Sequence, residues 1–208
     1  MKSLLLFFFI SITLNSCIRG QGEKVNIPLG STKGEGKESV ATFAEGCFWH
    51  SEIIFQSLVG VRDAVSGFAG GTTKNAKYGQ IGGAAETVQV YYDSSKISFA
   101  TLVDAFFASM DPTQLNRQGN DVGPQYRSIA FYRNENEKVI VEAAMKKLSD
   151  SKKYSNKIVT EILPYTAFFP AGDEHQEFVY YHPTNTYVQV VSIPEFLKFK
   201  KEFKGNFK

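Results

Sequence analysis

The order in which two periodicities alternate between residues 40 and 163 constrains the fold more than any single residue does. Val40 to Ala44 reads as a strand, and after Gly46 the four-residue spacing of Ile54 and Leu58 predicts a helix to about Leu58, closed by Gly60. Val61 to Phe68 and Thr87 to Tyr92 (TVQVYY) follow as strands, with Gly70, Gly71, Gly82 and Gly83 marking the loop between them. Ser98 suits the N-cap of a helix that carries Phe99, Leu102, Val103, Phe106 and Met110 on one stripe. Asp111-Pro112 ends that helix, and Arg127 to Tyr132 is the next strand. Strand, helix, strand, strand, helix, strand is the split βαβ order, so the expected fold is α+β, a two-layer ferredoxin-like sandwich. A helix near Glu135 to Ser149, a strand at Lys157 to Leu163 and a helix near Pro194 to Phe203 extend it on the C-terminal side.

Ahead of this domain, MKSLLLFFFISITLNSC pairs Lys2 with an apolar run from Leu4 to Leu14, short for a membrane span and placed where a secretory h-region belongs. The run ends in Leu14-Asn15-Ser16-Cys17, which resembles the lipobox of bacterial lipoprotein signals, where the Cys is lipidated and becomes the mature N-terminus. An ordinary signal peptide with an incidental Cys17 is the other reading. The expected organisation is a lipoprotein-type signal peptide over 1–16, a lipidated Cys17 with a flexible tether over 17–39, and the folded domain over 40–208. The expected location is the bacterial cell envelope, with the exported chain held to the membrane by acyl chains at Cys17. Within the tether, GSTKGEGKES misses the phosphate-loop spacing: Ser31 stands where the first Gly is needed, and Glu38 follows Lys37. A net charge of +2 gives no reason to expect a nucleic-acid partner. Two cysteines, one of them Cys17, cannot build a disulfide framework, so Cys47 is kept for another reason or is plain core.

Cys47 lies in EGCFWHSE, beside Phe48 and the only Trp of the chain, Trp49. Three consecutive residues point in three directions, so core packing alone does not explain this run. A cysteine where a Gly turn hands a strand to a helix meets free amides and the positive end of the helix, which favour thiolate. Phe48 and Trp49 could then wall an apolar pocket for a small group; otherwise all three are structural. Glu86, in IGGAAETVQV, has an apolar setting in which burial would raise its pKa towards general-acid use, unless it faces solvent. Asp121 and Tyr126 lie in the polar Gly-rich loop QGNDVGPQYRS, and Tyr78 in NAKYGQ says little alone. His50, His175 and His182 match no metal-ligand spacing, so no metal is expected.

Taken together these blocks resemble the A-type peptide-methionine sulfoxide reductases, over roughly Ala41 to Phe203. The likeness centres on Gly46-Cys47-Phe48-Trp49 with Glu52 three residues on. A second block is Asp111-Pro112-Thr113, Asn116-Arg117-Gln118-Gly119, Asp121, Gly123 and Gln125-Tyr126-Arg127-Ser128; Ala85-Glu86 and His175-Gln176 add to it. The resemblance implies reduction of the S epimer of methionine sulfoxide, free or in oxidised proteins and peptides. It places the nucleophile on Cys47, the proton-donating carboxylate on Glu86, the methyl pocket on Phe48 and Trp49, and the polar shell on Tyr78, Asp121 and Tyr126.

Several positions depart from the usual family pattern. Only eight positions separate Tyr78 from Glu86, Ala84 and Met110 stand where His is usual, Glu45 replaces a Gly, and Gly172 and Phe178 replace Glu and Tyr. The tail has no Cys, so a resolving thiol is absent and an external reductant is implied: a thioredoxin-like or glutaredoxin-like protein, or a small thiol. No prosthetic cofactor is expected, and the chain is expected to be a monomer. Two other readings stay open: a Cys-dependent hydrolase or acyltransferase pairing Cys47 with His50 or His175, and a non-catalytic binder of methionine sulfoxide.

Overall fold

The computed structural model describes residues 25–30 and 38–208; the signal-peptide segment and Cys17 lie outside the described residues. Strand β1 (Ser39–Glu45) leads through Gly46 into helix α1 (Phe48–Gln56), then β2 (Val61–Ala69), β3 (Ala85–Tyr92) and α2 (Phe99–Ser109). Ser98 caps α2 as its sequence suggests, its Oγ accepting Thr101 N–H at 3.0 Å. A two-residue hairpin, β4 (Arg117–Gln118) and β5 (Asp121–Val122), precedes β6 (Ser128–Tyr132) and α3 (Glu135–Asp150). β7 (Glu161–Pro164), β8 (Phe168–Pro170), α4 (Phe178–Tyr181) and α5 (Ile193–Glu202) complete the chain.

One six-stranded mixed sheet runs in the order β7-β6-β1-β3-β2-β8; β6 and β7 pair in parallel and all other neighbours are antiparallel. Its centre, β1, is buried through its last five residues, and alternate side chains serve two clusters. Phe43 stacks against Phe55 of α1 at 5.3 Å and Phe106 of α2 at 5.1 Å, tying both helices to one face. Ala44 belongs instead to a smaller cluster with Ala69, Ala85, Ile129 and Phe131. The result is an α+β domain in which the C-terminal end of β1 and the N-terminal end of α1 are held from both faces.

The structure moves some boundaries for identifiable reasons. The strand expected at Lys157 to Leu163 begins only at Glu161, because Val159 N–H is taken by Pro112 C=O at 2.8 Å, outside the sheet. The first helix stops at Gln56, and Leu58 bridges to Phe207 near the C-terminus. Of the stretch expected as a tether, residues 25–30 lie against the domain: Val25 and Ile27 pack on the core and Gly30 N–H donates to Glu177 Oε1 at 2.9 Å. Among the described residues no helix is long and apolar enough to cross a membrane.

Candidate active site

Gly46 makes the turn that places the cysteine. Its φ of 102° is open to glycine and strained for other residues, and a Cβ there would meet Gln118 Cβ at 2.7 Å. Cys47 follows as the N-cap of α1 and is only 6% exposed. Glu86, the second residue of β3 and paired in register with Phe68, is 4% exposed. Its Oε2 accepts Phe48 N–H at 3.2 Å, so an amide at the start of α1 is occupied by this carboxyl. Burial raises the Glu86 pKa to about 7 against the pull of that amide, which brings both of its protonation states into the physiological range.

For Cys47 the expected effect is reversed. Burial, and after it the Glu86 carboxylate, push the thiol well above its ordinary value; hydrogen bonding with the Tyr187 hydroxyl and with Trp49 N–H pulls it down and loses. Magnitudes explain the outcome. A helix terminus is worth about 0.3–1 kcal/mol, whereas burial of a group that must carry charge shifts its pKa by several units. Without substrate, Cys47 is a thiol.

Around the sulfur the structure brings together Phe48, Trp49, Tyr78, Glu86, Asp121 and Tyr126. Trp49 is half-buried, stacked face to face on Phe178 at 3.7 Å and met edge-on by Tyr187 at 5.8 Å. Phe48 is part of the core, its ring meeting Phe68 at 5.7 Å and His175 at 5.4 Å. Tyr78 is 60% exposed, yet the short loop still carries its ring to 4.8 Å from His175, and burial, Glu86 and Cys47 all raise its hydroxyl. Tyr126 ends the 3-10 turn Pro124–Tyr126 and is pushed up by burial and by Glu86. Asp121, on β5, accepts the hydroxyl proton of Tyr187.

Tyr187 was not legible in the sequence. It touches Cys47, Asp121 and Trp49 together, but NTYVQV carries no spacing or composition that marks a site. Phe178 registered only as a departure from the usual Tyr, whereas it is the partner of the indole. The histidines do other work than pairing with Cys47. His50 is buried on α1, lowered to about 4 by burial, and lines a cleft of about 550 Å³ with Met110, Gln118 and Asp121. His175 packs on Phe48, Trp49 and Tyr78, and His182 on Phe178.

Two more acids lie under the site. Glu45, in place of the usual Gly, is buried, accepts Ser109 Oγ at 2.6 Å and is raised to about 8 by burial. Glu52 accepts Ser66 Oγ at 2.7 Å and Glu177 N–H at 2.8 Å, and burial raises it to about 8 as well.

A buried thiol with a titratable acid one amide away, facing aromatic walls, defines a cysteine-dependent enzyme of the α+β class. The relatives specify which. The family model for peptide methionine sulfoxide reductase matches residues 39–207. Peptide methionine sulfoxide reductase MsrA 1 of Rhodopirellula baltica is 45% identical over 170 residues, covering 80% of this chain and 88% of that protein. The MsrA of Pasteurella multocida is 42% identical, over 78% of this chain and 95% of its own. The solved methionine sulfoxide reductase A of Corynebacterium diphtheriae superposes with a TM-score of 0.66 at 31% identity, over 76% of this chain and 84% of that one. The chain belongs to the peptide methionine sulfoxide reductase family. Its activity is the thiol-dependent reduction of methionine sulfoxide to methionine.

The buried Glu45 has a measurable consequence. Its folded-state pKa lies above the ordinary 4.5, so its contribution to stability is full below that value and is lost as the pH climbs through about 8. Glu52 adds the same sign over the same window. Urea unfolding should show the chain losing stability between about pH 5 and about pH 9. Glu45→Gln, which keeps an acceptor for Ser109, should flatten that loss by an amount on the order of a few kcal/mol; an unchanged slope would show that Glu45 ionises without cost.

Proposed function

We propose that Cys47 attacks the sulfur of the S epimer of methionine sulfoxide while Glu86 relays the thiol proton to the departing oxygen. The observation that carries this is the Glu86 Oε2 contact with Phe48 N–H, which seats the acid beside the nucleophile with a pKa of about 7. Cys47 Sγ first bonds to the substrate sulfur as the thiol proton passes through Glu86 to the sulfoxide oxygen; the substrate S–O bond then breaks and that hydroxyl passes to Sγ as the S–S bond breaks, leaving Cys47–SOH and methionine. Methionine sulfur is reduced by two electrons and Cys47 is oxidised to a sulfenic acid. Tyr78 and Tyr126, hydroxyls kept protonated by their surroundings, are suited to donate to the oxygen as charge builds on it. Phe48 and Trp49 seat the methyl, and Tyr187 with Asp121 orients the sulfur.

Recycling falls to external thiols. One, from a thioredoxin-like or glutaredoxin-like protein or a small thiol, condenses with the sulfenic acid to a mixed disulfide and water; a second releases Cys47. This is supported by the sequence after residue 17, where Cys47 is the sole cysteine. The apolar run ending in Leu14-Asn15-Ser16-Cys17 supports export and lipidation at Cys17, which would place the repair of oxidised proteins in the bacterial cell envelope. The antiparallel order β6-β1-β3-β2, with α1 and α2 packed on β1, supports a split βαβ, ferredoxin-like core.

A full chain carrying Cys17→Ser leaves Cys47 as its one thiol. Without reductant it should yield one equivalent of methionine from the S epimer, little from the R epimer, and a dimedone-reactive Cys47 by mass spectrometry. Product with Cys47 unmodified would contradict the sulfenic route.

The pair needs one proton, held between sulfur and carboxyl, and two protons leave no base to open the thiol. With thiol in excess, kcat/KM should therefore rise as the pH passes about 7. Glu86→Gln should lower kcat by about 10²- to 10⁴-fold and abolish that rise. Wild-type kcat in the variant would leave Glu86 without a role.

A further inference from the structure

Glu177 holds a backbone conformation (φ 50°) that residues other than glycine seldom adopt, directly ahead of α4. Both its side chain and its backbone are engaged. Oε1 accepts Gly30 N–H at 2.9 Å, and its own N–H donates to Glu52 Oε1 at 2.8 Å. One residue earlier, Gln176 bonds β2 in both directions, accepting Ser66 N–H and donating to Ser66 C=O, each at 3.0 Å. One residue later, Phe178 lies flat on Trp49, 3.7 Å between centroids and 7° between planes. The approach of Gly30 is close, since a Cβ there would meet Asp63 Oδ1 at 2.0 Å. Residue 177 thus joins two parts of the chain far apart in sequence. One is the segment 25–30, fixed on the core by Val25 and Ile27; the other is the ring that backs the indole of the site.

We infer that Glu177 is a positioning residue for the substrate pocket, anchored by the chain segment that enters the domain. The Gly30 bond holds the left-handed turn, the turn aims Phe178, and Phe178 sets the angle of Trp49. Residues 25–30 are then part of the pocket's framework. The effect on turnover rests on the proposed role of Trp49 at the substrate methyl; the effect on the indole does not.

Trp49 is the only tryptophan, so the emission of the full chain reads its surroundings directly. Three substitutions separate the bond from bulk: Glu177→Ala, Glu177→Met, which keeps length without an acceptor, and Glu177→Gln, which keeps the acceptor. In the Ala and Met variants, Trp49 emission should shift to the red and acrylamide quenching should increase. Their KM for a methionine-sulfoxide peptide should rise roughly fivefold to tenfold with kcat within about twofold. Glu177→Gln should restore both readings. Wild-type emission and quenching in Ala and Met would overturn the inference, and so would a fall in kcat at unchanged KM. So would loss of folding in both, judged by far-UV circular dichroism, because Glu177 would then be a stability residue. Altered emission with unchanged KM would uphold the positioning and refute the methyl-pocket role of Trp49.

Discussion

The hydrogen bond from Phe48 N–H to Glu86 Oε2 is the contact on which the rest of the site depends. It joins the first turn of α1 to the start of β3 through residues 38 apart in sequence, and so depends on the sheet placing β3 beside β1. The split order of strands meets that demand by putting β1 between β6 and β3. The register that sets Phe68 against Glu86 turns an acid of an apolar strand towards the sulfur, away from solvent. Gly46 supplies the turn, and the near approach of Gln118 admits no other residue there without strain.

Burial is the dominant energy in this site, and it acts on stability and chemistry with opposite benefit. Glu45, Glu52 and Glu86 are three carboxyls pressed against the start and body of α1, each raised by several units or nearly so. Such groups are costly to a fold unless neutral or hydrogen-bonded. Ser109, Ser66 and the backbone amides of Phe48 and Glu177 supply the bonds. The same dry surroundings keep Cys47 protonated and shielded until a substrate arrives, which restrains side reactions of the thiol.

Much of this was legible in the sequence because it is local. The alternation of periods gave the order of elements, the Gly46-Cys47 step gave the strand-to-helix turn, and the apolar company of Glu86 raised burial as one of two readings. What was not legible depends on distant contacts. Tyr187 reaches Asp121 across 66 residues and enters the site from a stretch with no chemical signature. The start of β7 was misplaced because Pro112 competes for Val159, and the hold of residues 25–30 depends on Glu177, 147 residues from Gly30. The sign of the Cys47 shift was missed for a different reason. A helix terminus can be read from sequence, whereas the depth at which it is buried cannot.

Direct titration of Cys47 tests the central claim, that burial and Glu86 hold it as a thiol until substrate binds. In the full chain with Cys17→Ser, thiolate absorbance near 240 nm can be followed against pH, with the further Cys47→Ser variant subtracted to remove tyrosine ionisation. The account expects no thiolate signal at neutral pH, with its onset above the ordinary cysteine range near 8.5, and an earlier onset in Glu86→Gln, which removes the neighbouring charge. A thiolate midpoint below pH 7 in the substrate-free chain would contradict it, and would return the activation of the sulfur to the helix terminus alone.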